Sequence, residues 1–154
     1  MHTSDAMNQN RLRRRALLND DDPARAKYGA AKDSYMEETA AIFAELRAAG
    51  VRIDTTRKAL AYNPEQGRPG TLIFDSEASL AALRHEAQHF RDNRDLGFPS
   101  LTEFLKSKEL FWRMEFRAYL AELSFAREVK DFDLGRAILE NARRRKRDIY
   151  GESP

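Results

Sequence analysis

Two of the chain's three histidines lie four residues apart, in the run His85-Glu86-Ala87-Gln88-His89. In an α-helix, residues at this spacing lie on the same face, about 6 Å apart along the axis. Both imidazoles can therefore bind one metal ion, and Glu86 lies beside them, where its carboxylate can take a proton from a metal-bound water. The pattern constrains the fold because it requires a helix whose histidine face is turned toward the protein.

The residues around the motif predict which sides of this helix are buried. At 100° per residue, small residues fall on the side of the histidines and large apolar residues fall opposite them. The first set is Ala78, Ala81 and Ala82; the second is Leu80, Leu83, Ala87 and Phe90. A polar stripe of Glu77, Arg84, Gln88 and Arg91 is left for solvent. The histidines and Glu86 are thus predicted to face protein, where a metal ion with its water would satisfy all three. The alternative is a polar core pocket in which the histidines hydrogen-bond to their neighbours.

A metal ion must here be bound by histidines and carboxylates, because the chain contains no cysteine. Catalytic Zn²⁺ usually has three protein ligands and one open position. We expect Glu115 to be the third ligand, since it lies on the apolar stripe of a long helix, where an unpaired carboxylate is unfavourable. Glu122 shares that face and is the reserve ligand or a partner of a ligand, and Asp92 is a further alternative. Without a metal, Glu115 would pair with a buried arginine.

The 154-residue chain is predicted to form one domain of the α+β class. Residues 1–31 are polar and basic and are interpreted as a leader or linker, and residues 32–154 as the domain. The pattern predicts a helix at 32–49, ending at Gly50, and short strands at 51–54, 59–62 and 71–74. The motif helix is predicted to be capped by Asp75 or Ser76 and to end near residue 93. Two more helices, at about 101–129 and 134–150, complete the domain.

Composition excludes a membrane span, since no run of 18 or more apolar residues is present. The N-terminus also lacks the apolar core of a signal peptide. Basic residues cluster at 11–15 and 143–147. They are consistent with nucleic-acid contact or docking to an acidic partner, or with a solvated arm and a basic last helical turn. We favour the second interpretation, because no aromatic interleaving or nucleic-acid module accompanies these runs.

With the run Glu115-Phe116-Arg117-Ala118-Tyr119, the histidine motif forms the pattern HExxH…ExxA, which resembles that of gluzincin metallopeptidases over roughly residues 51–126. The small size, the short sheet before the motif helix and the arginine-rich leader resemble the zincin-like metallopeptidase domains at the C-terminal ends of bacterial polymorphic and secreted toxins. Many gluzincins place an Asp four residues after the ligand glutamate to orient a histidine. This chain has Tyr119 there, whose hydroxyl would orient the histidine or stabilise the oxyanion. In zincins the strand before the active helix commonly pairs with an extended peptide, which implies Thr71–Phe74 as the substrate edge.

The resemblance implies a zinc metallopeptidase in which His85, His89 and Glu115 bind Zn²⁺ and Glu86 is the catalytic base. It further implies a protein or peptide substrate, a secreted effector that acts in a target-cell cytoplasm, and an immunity protein as inhibitor; otherwise the protein would be cytoplasmic. One alternative is a regulatory metallopeptidase resembling the ImmA/IrrE group. Another is a non-enzymatic basic interaction module with a structural zinc closed by four ligands. A nucleic-acid binder is the remaining option.

Overall fold

The computed structural model describes residues 21–151, which form a mixed α+β domain. Seven helices lie in this part of the chain: α1 Arg25–Tyr28, α2 Ala31–Ser34, α3 Met36–Ala48, α4 Leu80–Asp95, α5 Leu101–Leu105, α6 Lys108–Glu128 and α7 Phe132–Tyr150. Three strands form a single sheet: β1 Arg52–Asp54, β2 Leu60–Glu65 and β3 Arg68–Phe74. The predicted fold class is confirmed. No helix within 21–151 has the length and apolar character needed to cross a membrane.

The strand order of the sheet is β1-β3-β2. β3 pairs in parallel with β1, through Ile53 opposite Leu72, and antiparallel with β2, through Tyr62 opposite Leu72. β3 therefore lies at the centre of the sheet, and its inner residues are the most apolar, since a central strand is covered on both sides. β2 has one edge that no strand covers, and Pro64, which lacks an N–H group, lies on this strand.

The motif helix α4 begins later than predicted, because Ser79 is its N-cap. The Ser79 hydroxyl accepts a hydrogen bond from the backbone N–H of Ala82. Asp75, the predicted cap, instead closes a preceding turn in which its side chain accepts from the N–H of Glu77. The prediction was wrong because the side chains of Asp75 and Ser79 can both accept a hydrogen bond from a helix N-terminus. Tertiary contacts determine which of the two caps α4.

Part of the predicted leader belongs to the packed domain. Asp22 is 2% exposed, and its carboxylate accepts hydrogen bonds from both the backbone N–H and the hydroxyl of Ser79. Ala24 and Ala31 are fully buried in the core. The boundary predicted at residue 31 therefore lies too late. The basic run at 11–15 lies outside the described residues.

The helix predicted for residues 101–129 is divided into α5 and α6. Ser107 has extended backbone angles, and its hydroxyl accepts from the N–H of Leu110 to cap α6. α6 packs on α4, and α7 packs on α6, with Ala118, Phe125 and Ile138 buried in this part of the domain. Helix α7 extends from 132 to 150, two residues earlier at its start than predicted.

Helix α4 lies between the sheet and α6. On the sheet side, Phe90 meets the ring of Tyr62 edge to face, and Asn93 accepts a hydrogen bond from the Tyr62 hydroxyl. On the other side, Arg84 donates to Ser124 and His85 contacts Glu122. The histidine motif of α4 is therefore held between the sheet and α6.

The polar stripe predicted to face solvent is only partly exposed: Glu77 is open to solvent, whereas Arg84 and Arg91 are in contact with other helices. The side chain of Arg84 is only 15% exposed, because it forms ion pairs with Glu38 of α3 and Glu128 of α6. Arg91 similarly pairs with Glu45 of α3. Helix α3 therefore packs against this part of the stripe. The contact is polar because glutamates of α3 form ion pairs with the arginines of α4.

Candidate metal centre

His85 and His89 lie on the side of α4 that faces α6, with side chains 12% and 18% exposed. Nδ1 of His85 lies 2.8 Å from Oε1 of Glu122. When the imidazole of His85 is neutral, its single ring hydrogen lies on Nδ1 and is donated to the Glu122 carboxylate, which leaves Nε2 as an electron-pair donor. Nε2 points toward Glu115. This is the arrangement by which a carboxylate orients a metal-binding histidine.

Glu115 of α6 completes a group of three side chains that could hold a metal ion, as predicted. Its Oε1 lies 3.5 Å from Nε2 of His89, and its Oε2 lies 3.9 Å from Nε2 of His85. Two atoms that each bind an ion at about 2.0–2.2 Å with tetrahedral angles lie about 3.4 Å apart. The two histidine–glutamate separations are close to this value, and all three ligand atoms lie within 4.8 Å of one another, so the group could hold one ion. Two nitrogen donors and one oxygen donor suit Zn²⁺ and also other divalent metals.

The two alternative third ligands have other partners. Asp92 is buried, and both of its carboxylate oxygens accept hydrogen bonds from Nε of Arg117 at 3.0 Å. Glu122 contacts the far nitrogen of His85 and does not share the space between the two Nε2 atoms. Of the carboxylates considered, only Glu115 lies in the group of three.

Three carboxylates lie close to His85, those of Glu86, Glu115 and Glu122, and they shift the pKa values of the centre. Burial by itself lowers the pKa of His85, but the hydrogen bond to Glu122 and the nearby charges of Glu86 and Glu115 outweigh it and raise the pKa to about 9. Burial raises the pKa of Glu115, whereas His89, Arg145 and His85 lower it, and the net shift is downward. A site that attracts protons to this extent also attracts a metal cation.

Glu86 lies on the sheet side of the histidines and is 8% exposed. Its Oε2 accepts a hydrogen bond from the backbone N–H of Tyr62 in β2, at 2.9 Å. This bond fixes the carboxylate between α4 and the uncovered edge of β2, where it lines the same cleft as the histidines. Glu86 is thus held beside the metal group without belonging to it.

Tyr119 lies next to the centre, against the ring of His85. Its ring meets the ring of His85 edge to face, with centroids 4.7 Å apart, while Glu122 holds His85 Nδ1. Burial, with the charges of Glu115 and Glu122, raises the pKa of the Tyr119 hydroxyl. The hydroxyl therefore stays protonated at physiological pH and can act only as a hydrogen-bond donor or as a neutral acceptor.

The alternative interpretation of Glu115 required a nearby arginine, and the structure places Arg145 there, a residue that was not identified for this role from the sequence. Its Nη2 lies 3.6 Å from Oε1 of Glu115, and its guanidinium group lies over the ring of Phe111, 5.3 Å from the centroid. A signal was present in the sequence, because Arg145 follows Ile138 and Ala142 at helical spacing on the buried stripe of α7. The rest of the basic run at 143–147 is on the surface or forms ion pairs, as with Arg143 and Glu140.

These residues line one cleft of about 480 Å³. Its walls are β2 on one side, α6 and α7 on the other, and apolar residues of α5 at one end: Leu101, Phe104 and Leu105. Residues 60–64 of β2 line the cleft, whereas Thr71–Phe74 do not. The prediction that Thr71–Phe74 form an edge available to a substrate was therefore wrong, because β3 is paired on both sides. β1 and β2 are the two edge strands, and of these β2 lines the cleft.

Comparison of the chain with protein-family models, with curated proteins and with solved structures found no significant match to any of the three. The geometry of the cleft is accordingly the basis for a functional proposal.

Proposed function

We propose that this protein is a zinc-dependent peptidase that hydrolyses a protein substrate in the cleft between β2 and α6. The observation that supports this most strongly is the convergence of His85, His89 and Glu115, all largely buried, beside the separately held carboxylate of Glu86. Such an arrangement supplies metal ligands and a general base from different positions on one helix and its neighbour. The toxin or effector role implied by the sequence resemblance is part of the proposal, as is an immunity protein that would block the cleft.

The number of ligands favours catalysis over a purely structural site. Structural zinc sites are usually closed by four protein ligands, whereas catalytic sites keep a position open. The group found among residues 21–151 has three members, and it borders a cleft instead of being enclosed in the core. An open position that faces a cleft is what a substrate carbonyl needs.

Each side chain of the centre has a defined task in this proposal. His85, His89 and Glu115 would hold Zn²⁺, which supplies Lewis acidity and lowers the pKa of a water molecule toward about 7. Glu86 accepts the proton of the attacking water and then gives it to the leaving amine. Glu122 keeps His85 in the tautomer that leaves Nε2 available. Tyr119 donates its hydrogen bond toward the substrate from the α6 wall.

The edge of β2 is the natural position for an extended substrate. Backbone groups at an uncovered strand edge can pair with a peptide, and alternate side chains of that peptide would then enter the cleft. The N–H of Tyr62 already points away from β3 toward Glu86. A peptide bound along this edge would thus place a carbonyl beside both Glu86 and the metal ligands.

Metal content and hydrolysis together test the proposal. We expect about one zinc per chain in the wild-type protein, little in Glu115→Ala, and a full complement in Glu109→Ala, whose exposed side chain lies on the same helix. Hydrolysis of an internally quenched peptide library should cease in excess chelator and return when zinc is added. Full activity in excess chelator, or unchanged zinc content in Glu115→Ala, would contradict the proposal.

A further inference from the structure

Arg145 lines the cleft, but the proposed mechanism gives this residue no role. It lies on α7, the wall opposite β2, and its side chain is 25% exposed. Its Nη2 lies 3.6 Å from the same Glu115 oxygen that is 3.5 Å from Nε2 of His89. The guanidinium group therefore borders the metal ligands directly and is largely shielded from solvent.

The simplest role for Arg145 is that of a counter-ion for Glu115, but this conflicts with metal binding. A carboxylate that binds a dication already has its charge compensated. A permanently charged guanidinium beside it then repels the cation and weakens its binding. The conflict disappears if a negative charge develops nearby during the reaction, because the guanidinium would stabilise that charge.

The local contacts leave Arg145 able to bind an anion. A separation of 3.6 Å is longer than a normal hydrogen bond, so Glu115 does not hold the donor tightly. The guanidinium carbon lies over the ring of Phe111, a contact that uses none of its N–H groups. With five donors in total, the side chain can face Glu115 and also donate to a substrate oxygen.

We propose that Arg145 is a further catalytic residue, whose guanidinium donates hydrogen bonds to the oxyanion that forms on the substrate carbonyl. In this step the water oxygen bonds to the carbonyl carbon, the π electrons move to the carbonyl oxygen, and Glu86 takes the proton. The C–N bond then breaks, and the amine nitrogen keeps the electron pair and receives the proton from Glu86. Arg145 stabilises the charged intermediate between these events. The inference rests on the proposed function.

Anion binding to the cobalt-substituted protein tests this role independently of any substrate. Co²⁺ in place of the zinc has a visible spectrum that reports both metal uptake and the binding of inorganic phosphate, an oxyanion probe. We expect Arg145→Gln to weaken phosphate binding by about 10-fold or more, as for a charge-assisted hydrogen bond, and to bind Co²⁺ as tightly as the wild type or more tightly. Arg143→Gln, which changes an exposed arginine of the same helix that does not line the cleft, should alter neither.

Hydrolysis gives a second readout. Arg145→Gln should lower kcat by about 100-fold or more with a smaller change in KM, and Arg145→Lys should restore part of the loss. Weaker Co²⁺ binding together with unchanged phosphate affinity would overturn the proposal and make Arg145 a residue that positions Glu115. A wild-type protein that takes up no Co²⁺ would overturn the proposed function and the role of Arg145 with it.

Discussion

The contact between Glu122 and His85 makes the most specific quantitative prediction for the metal centre. Glu122 is 3% exposed, and its carboxylate lies 2.8 Å from Nδ1 of His85. Replacing it with Gln keeps the size and an acceptor oxygen but removes the charge. Replacing it with Leu removes the acceptor altogether, so that nothing selects the tautomer that leaves Nε2 free.

Two independent estimates of the effect agree. Removing the hydrogen-bond partner of a metal-binding histidine typically weakens metal affinity by about 10- to 100-fold, which corresponds to about 1.4–2.8 kcal/mol. A hydrogen bond to a charged group contributes about 1.5–3 kcal/mol to the state that forms it. We therefore expect Glu122→Gln to weaken zinc affinity by about 10-fold and Glu122→Leu to weaken it by about 100-fold.

Zinc affinity measured by competition with a chromophoric chelator at one fixed pH gives these ratios. Glu109→Gln, on the exposed side of the same helix, is the matched control and should bind zinc like the wild type. Thermal unfolding of each metal-free variant separates loss of affinity from loss of folding. If folded Glu122→Gln and Glu122→Leu both bind zinc within about twofold of the wild type, Glu122 does not orient His85 and the reasoning is wrong.

Three further changes test the fold that positions the site. Asp22→Ala leaves the buried N–H of Ser79 without its acceptor and should lower the free energy of unfolding in urea by about 1–3 kcal/mol; an unchanged value would show that residues near 22 do not hold α4. Gly70→Ala would place a Cβ against the backbone oxygen of Asn63 in β2, closer than two atoms can approach, and should destabilise the protein by more than about 2 kcal/mol. A variant as stable as the wild type would contradict the described pairing of β2 with β3. Hydrogen bonds from Arg84 lower the pKa of Glu38 below 4.5, so the stability that Glu38 contributes is present above that pH and is lost as the pH falls through the lowered value. Glu38→Gln should therefore lose more stability relative to wild type at pH 7 than at pH 3, and equal differences at both pH values would contradict the ion pair.

Helical periodicity carried most of what the sequence predicted correctly. A polar residue at an apolar position of a helix must find a partner inside the protein, and this argument identified Glu115 as well as the histidine face of α4. The same argument applies to Arg145, which lies on the buried stripe of α7. It was not recognised there because a basic last helical turn also explains a run of arginines.

The features that the sequence could not predict depend on long-range contacts. Whether Ser79 or Asp75 caps α4 is decided by Asp22, which lies 57 residues before Ser79 and binds its hydroxyl. The order of the strands depends on pairing between distant segments of the chain. The residue pattern of a short apolar strand such as β3 is the same whether the strand lies at the centre of a sheet or near its edge. The polar stripe around Arg84 similarly gave no sign that α3 would cover it with acidic residues.

The central claim is that Glu86 acts on a water molecule at a zinc site to cleave a protein chain. The direct measurement is a comparison of new peptide N-termini in a cell lysate exposed to wild-type or Glu86→Gln protein, each carrying the same amount of zinc. Gln retains an acceptor oxygen for the N–H of Tyr62, so the fold and the metal site should be preserved. We predict a defined set of new N-termini with the wild type and none of that set with Glu86→Gln. The same N-termini from both proteins, or no new N-termini from a zinc-loaded wild type, would contradict the claim.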